Sequence, residues 1–295
     1  MVERIGSVIA MELLPAVQSV LRRSLMARGV RSKTVLIGPQ LLHYYELTGV
    51  GPGPPVVLVH GLGGSANGFY QLIFRLSHRF SRIFAPDLPG HGFSCSPPDA
   101  PLGLAAQLAA LVGFCEKAVS VPAFVVGNSL GGALCVALAG QYPRHVRALG
   151  LIAPAGAPMK AAQLAVLTQL LTPRSSADVR ALTRRLFHRT PLLALIFAPQ
   201  LRKLYGTRVI QEVFGDVNAS HPLTPEVLRQ LAIPTLLLWG ASEKLLPSDG
   251  IEYFRTHLPP SSRVHVVEGV GHVPQLERPA LVAKYLIQFA DDSGL

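Results

Sequence analysis

The sequence predicts an α/β protein with a mostly parallel sheet that is flanked by helices and interrupted by one helical insertion. Three observations support this prediction. Short runs of apolar, often β-branched residues recur along the chain, and their lengths suit strands that are buried on both faces. Amphipathic stretches separate most of these runs, which is typical of βαβ units. From about residue 155 to 231 the strand-like runs stop, and only helical spacing remains.

The predicted strands follow in chain order. Residues 34–37 and 42–47 flank a Gly-Pro turn, which predicts an antiparallel pair at the start of the sheet. Val56–Val59 is a continuous apolar run of the kind found in parallel sheets. The later predicted strands are residues 82–85, 124–126, 148–152, 235–239 and 264–267. The predicted helices between strands are residues 68–76, 104–119 and 131–142.

The chain is expected to have three parts. Residues 1–33 form an N-terminal helical extension, residues 34–155 and 232–295 form the α/β core, and residues 156–231 form a helical cap. In the cap, leucines at positions 164, 167 and 171 share one helical face. The cap also has ten Lys/Arg and four Asp/Glu, a net charge of +6. A solvated helical face is the favoured interpretation of this charge, and attraction to anionic substrates or lipid headgroups is the alternative.

Composition narrows the class of protein and its partners. With 49% apolar and 15% charged residues, the chain can fill a sizeable core. The formal net charge is +10, but basic and aromatic residues are not interleaved in any one stretch, so no nucleic-acid partner is predicted. Three widely separated cysteines fit neither a disulfide framework nor a zinc site. No cofactor or metal is predicted, and the sequence does not indicate an oligomeric state.

The N-terminal residues 5–21 are rather apolar, but Glu12 and Pro15 interrupt them. They lack the basic start, clean apolar run and cleavage site of a signal peptide, and they are too polar for a membrane span. We therefore expect a helix packed on the body and a cytoplasmic location. An interfacial anchor on a membrane surface is the less favoured alternative.

The candidate catalytic residues follow the ends of predicted strands. Residues 127–132, Gly-Asn-Ser-Leu-Gly-Gly, lie between a buried strand and a helical stretch. A Gly-x-Ser-x-Gly motif in this context places its serine on a tight turn, because the flanking glycines allow the close approach that such a turn requires. The turn exposes the hydroxyl group at the edge of the sheet. Ser129 is therefore the candidate nucleophile.

A glycine-rich loop upstream, residues 60–65, follows the strand Val56–Val59. Such a loop can bring a backbone N–H close to a substrate oxygen. We predict that the N–H groups of Leu62 and Leu130 form an oxyanion hole. His60 is expected to brace this loop rather than to carry protons.

Two further side chains complete the predicted constellation. Glu243 follows the strand at 235–239, and His272 lies on a turn after the strand at 264–267. The order serine, acid, histidine is that of an α/β arrangement, in which the histidine accepts the serine proton and the acid orients the imidazole. Asp249 is the weaker candidate for the acid.

Together these segments resemble the α/β-hydrolase superfamily. The matching residues are 60–65, 87–94, 127–132, 239–243 and 271–279, within a resemblance that spans roughly residues 34 to 290. The resemblance implies an eight-stranded sheet with a helical cap inserted after the sixth strand. It also implies structural roles for Asp87, His91 and Glu277. Relatives most often carry Asp at the position of Glu243, so the acid is where this chain departs from the pattern.

The serine nucleophile narrows the expected reaction. Relatives that open epoxides or displace halide use Asp there, whereas serine with an oxyanion hole indicates acyl transfer to water. Hydrolysis of carboxylic esters through an acyl-enzyme is the leading hypothesis, with a small-molecule ester as the partner. Three alternative activities are a lactonase, a lipase and a hydrolase that cleaves carbon–carbon bonds of dienoate acids. The last is included because the Gly-Asn-Ser sequence is similar to that of meta-cleavage product hydrolases. A non-catalytic binding protein is the alternative from another class. The predicted apolar substrate pocket includes Phe187, Ile196 and Phe197 of the cap.

Overall fold

The computed structural model describes residues 16–192, 198–219 and 223–295. The described residues form one eight-stranded sheet. Its strands are β1 (Arg31–Ile37), β2 (Gln40–Thr48), β3 (Val56–Val59), β4 (Arg82–Pro86), β5 (Ala123–Asn128), β6 (Val146–Ile152), β7 (Thr235–Gly240) and β8 (Arg263–Val267). Their order across the sheet is β1-β2-β4-β3-β5-β6-β7-β8. The pairs β1–β2 and β2–β4 are antiparallel and all the others are parallel, which confirms the predicted fold class.

Each predicted strand forms, but the first begins three residues earlier than expected. Arg31 and Lys33 of β1 contact the carboxylate of Glu46 on β2, which is buried. Burial alone would raise the pKa of Glu46, but hydrogen bonds from Lys33 and Arg82 bring it below its usual value. Because polar residues start this edge strand, its apolar pattern is too short to reveal the true beginning. The sheet therefore begins inside the segment assigned to the N-terminal extension.

The helices cover both faces of the sheet. In the core, they are residues 16–27 (α1), α2 (Tyr70–Leu76), α3 (Leu104–Phe114), α4 (Leu130–Gln141), α10 (Gly250–His257), α11 (Pro274–Glu277) and α12 (Pro279–Asp292). The remaining described helices lie between β6 and β7. Alternate residues of β3 point to opposite faces, so Val57 and Val59 join one apolar core while Val56 and Leu58 join the other. This two-sided burial explains why the parallel strands appear as continuous apolar runs.

Within the described residues, the segment between β6 and β7 consists of helices joined by loops and contains no strand. Its helices are α5 (Ala161–Leu171), α6 (Ser176–Leu186), α7 (Ala198–Tyr205), α8 (Arg208–Ala219) and α9 (Pro225–Arg229). Ser175 caps α6 by accepting a hydrogen bond from the N–H of Asp178, and Pro225 starts α9. Within the described residues, no helix has both the length and the apolar character needed to cross a bilayer.

Candidate active site

Ser129 is the single residue between β5 and α4, and its backbone makes the whole turn. Its φ of 55° and ψ of −120° are strained for a residue with a side chain. A Cβ at Gly127 would collide with the backbone of Gly131, and a Cβ at Gly131 would collide with the carbonyl oxygen of Val59. The glycines of the motif are therefore required by contact, and the strain lifts the serine out of the sheet.

His272 and Glu243 form a buried pair. Nδ1 of His272 lies 2.6 Å from Oε2 of Glu243, and both side chains are only 3% exposed. The other carboxylate oxygen, Oε1, accepts hydrogen bonds from the N–H groups of Leu245 and Leu246 at 2.6 and 3.0 Å. Burial alone would raise the pKa of Glu243, but the His272 charge and these hydrogen bonds lower it below its usual value. The pair thus joins an ionised carboxylate to one ring nitrogen of an imidazole.

Asp249, the weaker candidate for the acid, lies elsewhere. Both of its carboxylate oxygens accept from the Nε2 amide of Gln163 at 3.2 Å, in an exposed contact between α5 and the start of α10. Glu243 is the carboxylate that reaches His272.

Ser129 and His272 line the same cavity. In the described part of the chain, the serine hydroxyl does not cap α4 and makes no hydrogen bond; catalytic hydrogen bonds of this kind often tighten only in the complex with substrate. Asn128 ties the two loops together, because its Nδ2 donates to the carbonyl oxygens of Ile152 and His272, both at 3.0 Å. Its Oδ1 accepts from Nε2 of Gln275, also at 3.0 Å. The sequence identifies Asn128 only as part of the Gly-Asn-Ser motif and does not identify Gln275. The feature that could have revealed the role of Asn128 is its position as a polar residue at the end of a fully buried strand.

The glycine-rich loop passes directly over the serine. A Cβ on Gly61 would lie 3.0 Å from Cβ of Ser129. Leu130 is the first residue of α4, so its N–H has no acceptor within the helix. Among the described residues, the N–H groups of Leu62 and Leu130 have no hydrogen-bond acceptor, and both residues line the cavity. The two groups are therefore available to a substrate oxygen.

Two buried histidines hold this loop in place. His60 donates from Nδ1 to the carbonyl oxygen of Gly61 and accepts at Nε2 from the N–H of Leu88. His91 accepts at Nε2 from the N–H of Gly63 at 3.3 Å. Burial lowers the pKa of both histidines, that of His91 to about 3. Each is a neutral brace with a fixed tautomer, which agrees with the structural role expected for His60 and His91.

Asp87 supports the same region from below. Its carboxylate accepts from the N–H groups of Ala66 at 2.7 Å and Phe93 at 3.0 Å, and from Nδ1 of His43 at 2.7 Å. Burial would raise its pKa, but the hydrogen bond from His43 and the nearby histidines lower it. Asp87 is 1% exposed and does not line the cavity, so its position is that of a structural residue.

The cavity has a volume of about 720 Å³ and lies between the edge of the sheet and the cap. Most lining side chains are apolar, and within the described residues no Lys, Arg, Asp or Glu lines it. Of the predicted pocket residues, Phe187 lines the cavity, while Ile196 and Phe197 lie outside the described residues. Such a cavity suits a neutral, largely apolar ligand.

Tyr205 is a cavity residue that the sequence did not single out. It is 9% exposed, and its ring lies beside the backbone of Gly63, where an added Cβ would be 3.1 Å from the ring. Burial raises the pKa of Tyr205 to about 12, so its hydroxyl stays protonated. The i, i+4 spacing of Leu201 and Tyr205, both of which line the cavity, is the signal that could have found it.

The segment after α6 contacts the histidine loop directly. Leu186 accepts at its carbonyl oxygen from the N–H of His272 at 2.9 Å. The carboxylate of Glu277 accepts from the N–H of His188 at 2.7 Å and from that of Gly271 at 2.6 Å. Glu277 therefore bridges the two segments, which gives a physical basis for the structural role that was expected of it.

A strained serine elbow, a histidine–carboxylate pair and a glycine-rich loop meet at the edge of a mostly parallel sheet, the arrangement that defines the α/β-hydrolase class. The sequence matches the model of the alpha/beta hydrolase family over residues 56–285, and the chain belongs to this family.

Curated relatives include lipases and a carbon–carbon bond hydrolase. The chain is 27% identical over 260 residues to Lipase 1 of Psychrobacter immobilis, covering 84% of this chain and 80% of the relative. It is 28% identical over 247 residues to 2-hydroxy-6-oxo-2,4-heptadienoate hydrolase of Pseudomonas putida, covering 79% and 87%.

Solved structures agree with the fold. A bacterial membrane phospholipase A superposes with a TM-score of 0.82 at 24% identity, covering 99% of this chain and 96% of the other. A carboxylesterase of Bacillus subtilis superposes with a TM-score of 0.77 at 19% identity, covering 95% and 98%. At these identities the superpositions establish the fold alone.

Proposed function

We propose that this protein is a serine hydrolase that cleaves carboxylic esters with apolar acyl or alcohol groups. The observation that carries the proposal is the shared cavity: Ser129 and His272, which pairs with Glu243, line one largely apolar space. Leu62 and Leu130 line the same space, and their N–H groups have no acceptor among the described residues. Lipase relatives support ester hydrolysis, since they match over most of this chain.

The proposed reaction has two halves. His272 accepts the proton of Ser129 at Nε2 as the hydroxyl oxygen attacks the ester carbonyl carbon, while Glu243 stabilises the imidazolium through Nδ1. The oxyanion of the tetrahedral intermediate accepts hydrogen bonds from the N–H groups of Leu62 and Leu130. His272 then returns the proton to the leaving alkoxide, and the C–O bond of the ester breaks. In the second half, water gives a proton to His272 and attacks the acyl-enzyme carbonyl carbon. The bond to the Ser129 oxygen then breaks, Ser129 takes back the proton, and the carboxylic acid leaves.

The lining of the cavity favours an ester substrate over a dienoate acid. A dienoate substrate carries a carboxylate, and a buried carboxylate needs a cation or several donors. No Lys or Arg lines the cavity within the described residues. A neutral ester meets no such requirement, and its apolar chain gains about 0.8 kcal/mol for each methylene that is buried.

The experiment combines turnover with active-site labelling. The purified chain is assayed on p-nitrophenyl esters of increasing acyl length, and its serine is labelled with a fluorophosphonate. We expect turnover that labelling abolishes, kcat/KM that rises with acyl length until the cavity is filled, and no labelling of the Ser129→Ala variant. Ser261→Ala, in an exposed turn, is the matched control and should behave as wild type.

Two results would contradict the proposal. Turnover of a dienoate acid at a kcat/KM above that of the best ester would make the protein a carbon–carbon hydrolase. Absence of both turnover and labelling would make it a binding protein with this fold.

A further inference from the structure

The charges of the cap are distributed unevenly. Two of its four acidic side chains contact the body of the protein: Glu212 accepts from the N–H of Leu102 and Asp216 from that of Leu104, both at 2.7 Å. These bonds hold α8 against the start of α3. The other two differ, because Asp178 caps the start of α6 and Glu226 pairs with Arg229. With the carboxylates of Glu212 and Asp216 turned toward the body, basic side chains outnumber acidic ones on the rest of the cap.

The outer side of α6 and α7 carries what we call the basic cap face. It consists of Arg180 and Arg184 of α6, Arg202 and Lys203 of α7, and the exposed Arg189, which lies just after the end of α6. Within the described residues, none of these five side chains pairs with a carboxylate. The two helices pack against each other, and their opposite sides line the cavity through Leu182, Leu186, Leu201 and Tyr205. Each helix is thus amphipathic, apolar toward the cavity and basic toward solvent.

An exposed apolar side chain accompanies the charges. Leu192, three residues after Arg189, is 79% exposed. A basic helical surface with an exposed leucine beside it is the composition that binds anionic membrane interfaces, because the cations attract headgroups and the apolar side chain enters the acyl boundary. Single-stranded nucleic acid would instead favour aromatic side chains for stacking, and none belongs to the basic cap face. A duplex would use the same cations but would leave Leu192 without an apolar environment.

We propose that the basic cap face docks the protein on an anionic lipid surface, with Leu192 as an apolar anchor. Docking in this orientation places the two helices that roof the cavity at the interface. Docking on lipid needs no turnover, so it is independent of the proposed esterase activity. The Ser129→Ala variant should accordingly bind vesicles as well as wild type does.

The test is flotation of the full chain with vesicles of phosphatidylcholine or of an equal mixture of phosphatidylcholine and phosphatidylglycerol. The test variant is Arg184→Gln/Arg189→Gln/Lys203→Gln. The control, Lys117→Gln/Arg144→Gln/Arg147→Gln, removes the same charge from exposed positions near the opposite edge of the sheet. Thermal unfolding checks that both triple variants are folded.

We expect binding to the anionic vesicles that weakens with salt. Because each cation near an anionic surface is worth about fivefold in binding, the test variant should lose roughly 100-fold and the control much less. Leu192→Ser should lose about tenfold. Equal binding to neutral vesicles, equal losses in the two triple variants, or tighter binding to duplex DNA than to vesicles at the same salt concentration would each overturn the proposal.

Discussion

Replacing Glu243 by glutamine tests the proposed role of the carboxylate–imidazole pair. In the structure, Oε1 accepts from the N–H groups of Leu245 and Leu246, and Oε2 faces Nδ1 of His272. Only the carbonyl oxygen of a glutamine can accept from those two N–H groups. Its amide nitrogen must then face His272, and it would donate to Nδ1. The imidazole would consequently carry its proton on Nε2, where it cannot accept the proton of Ser129.

The size of the effect follows from this tautomer change. In serine triads, the corresponding amide substitution lowers kcat by about 10⁴, equivalent to about 5 kcal/mol of transition-state stabilisation. We expect a loss of this order in Glu243→Gln, with little change in KM. The fold should be affected much less, because the side chain keeps its size and its bonds to the turn.

Glu243→Asp gives a second, smaller perturbation. The side chain is shorter by about 1.5 Å, so it cannot both bond the turn and reach His272 at hydrogen-bond distance. Loss of one charged hydrogen bond costs about 1.5–3 kcal/mol, which predicts a roughly 10- to 150-fold lower kcat. Asp249→Asn is the matched control, and it should keep near-wild-type activity because Asp249 contacts Gln163 on the surface.

The assay is kcat and KM on the best p-nitrophenyl ester, with residual activity separated from contaminants by fluorophosphonate titration of active sites. We expect kcat to decrease in the order wild type, Asp249→Asn, Glu243→Asp, Glu243→Gln. If Glu243→Gln keeps more than about a tenth of the wild-type kcat, or if Asp249→Asn is the slower variant, Glu243 is not the orienting acid.

Three further outcomes are expected. Asn128→Ala removes the bonds from Asn128 to the His272 loop, so the free energy of unfolding in urea should fall by about 2–3 kcal/mol; an unchanged midpoint would contradict this. Gly63→Ala adds a side chain at a φ of 71° against Tyr205, and should lower kcat more than tenfold, roughly, while costing about 1–2 kcal/mol of stability; equal kcat would refute a role for this loop in catalysis. Because His91 stays neutral in the folded protein with a pKa of about 3, only the unfolded chain takes up its proton as the pH falls below 6.5; stability should drop by about 2 kcal/mol between pH 7 and 5, and His91→Gln should show a smaller drop.

The sheet could be predicted because its signal is local. Strands buried on both faces, such as β3 and β5, are largely apolar, so each appears in the sequence as a short run of consecutive apolar residues. The start of β1 could not be predicted from the sequence. Arg31 and Lys33 form ion pairs with Glu46 on β2, and Glu46 lies more than a dozen residues away along the chain. Polar edge residues are stabilised by contacts that a linear pattern does not contain.

The same distinction holds for the site. Ser129 and the glycine-rich loop are specified by neighbours in sequence, since glycines are needed within two residues of the turn. The contacts of Asn128, Tyr205 and Glu277 join segments that are far apart in the chain, and they appear only when the fold brings loop and cap together. Residue type and position after a strand could identify candidates, but not the partners that give them their roles.

These contacts explain why a glutamate, rather than an aspartate, suits position 243. The turn after β7 needs an acceptor for the N–H groups of Leu245 and Leu246, and Oε1 of Glu243 supplies it while Oε2 holds His272. The extra methylene lets one buried carboxylate reach both the turn and the imidazole. The turn in return fixes the carboxylate, because two backbone donors leave it little rotational freedom. Burial would raise the pKa of Glu243, but His272 and, to a smaller extent, these two donors lower it. Glutamate is thus part of how this loop folds as well as of how the imidazole is oriented.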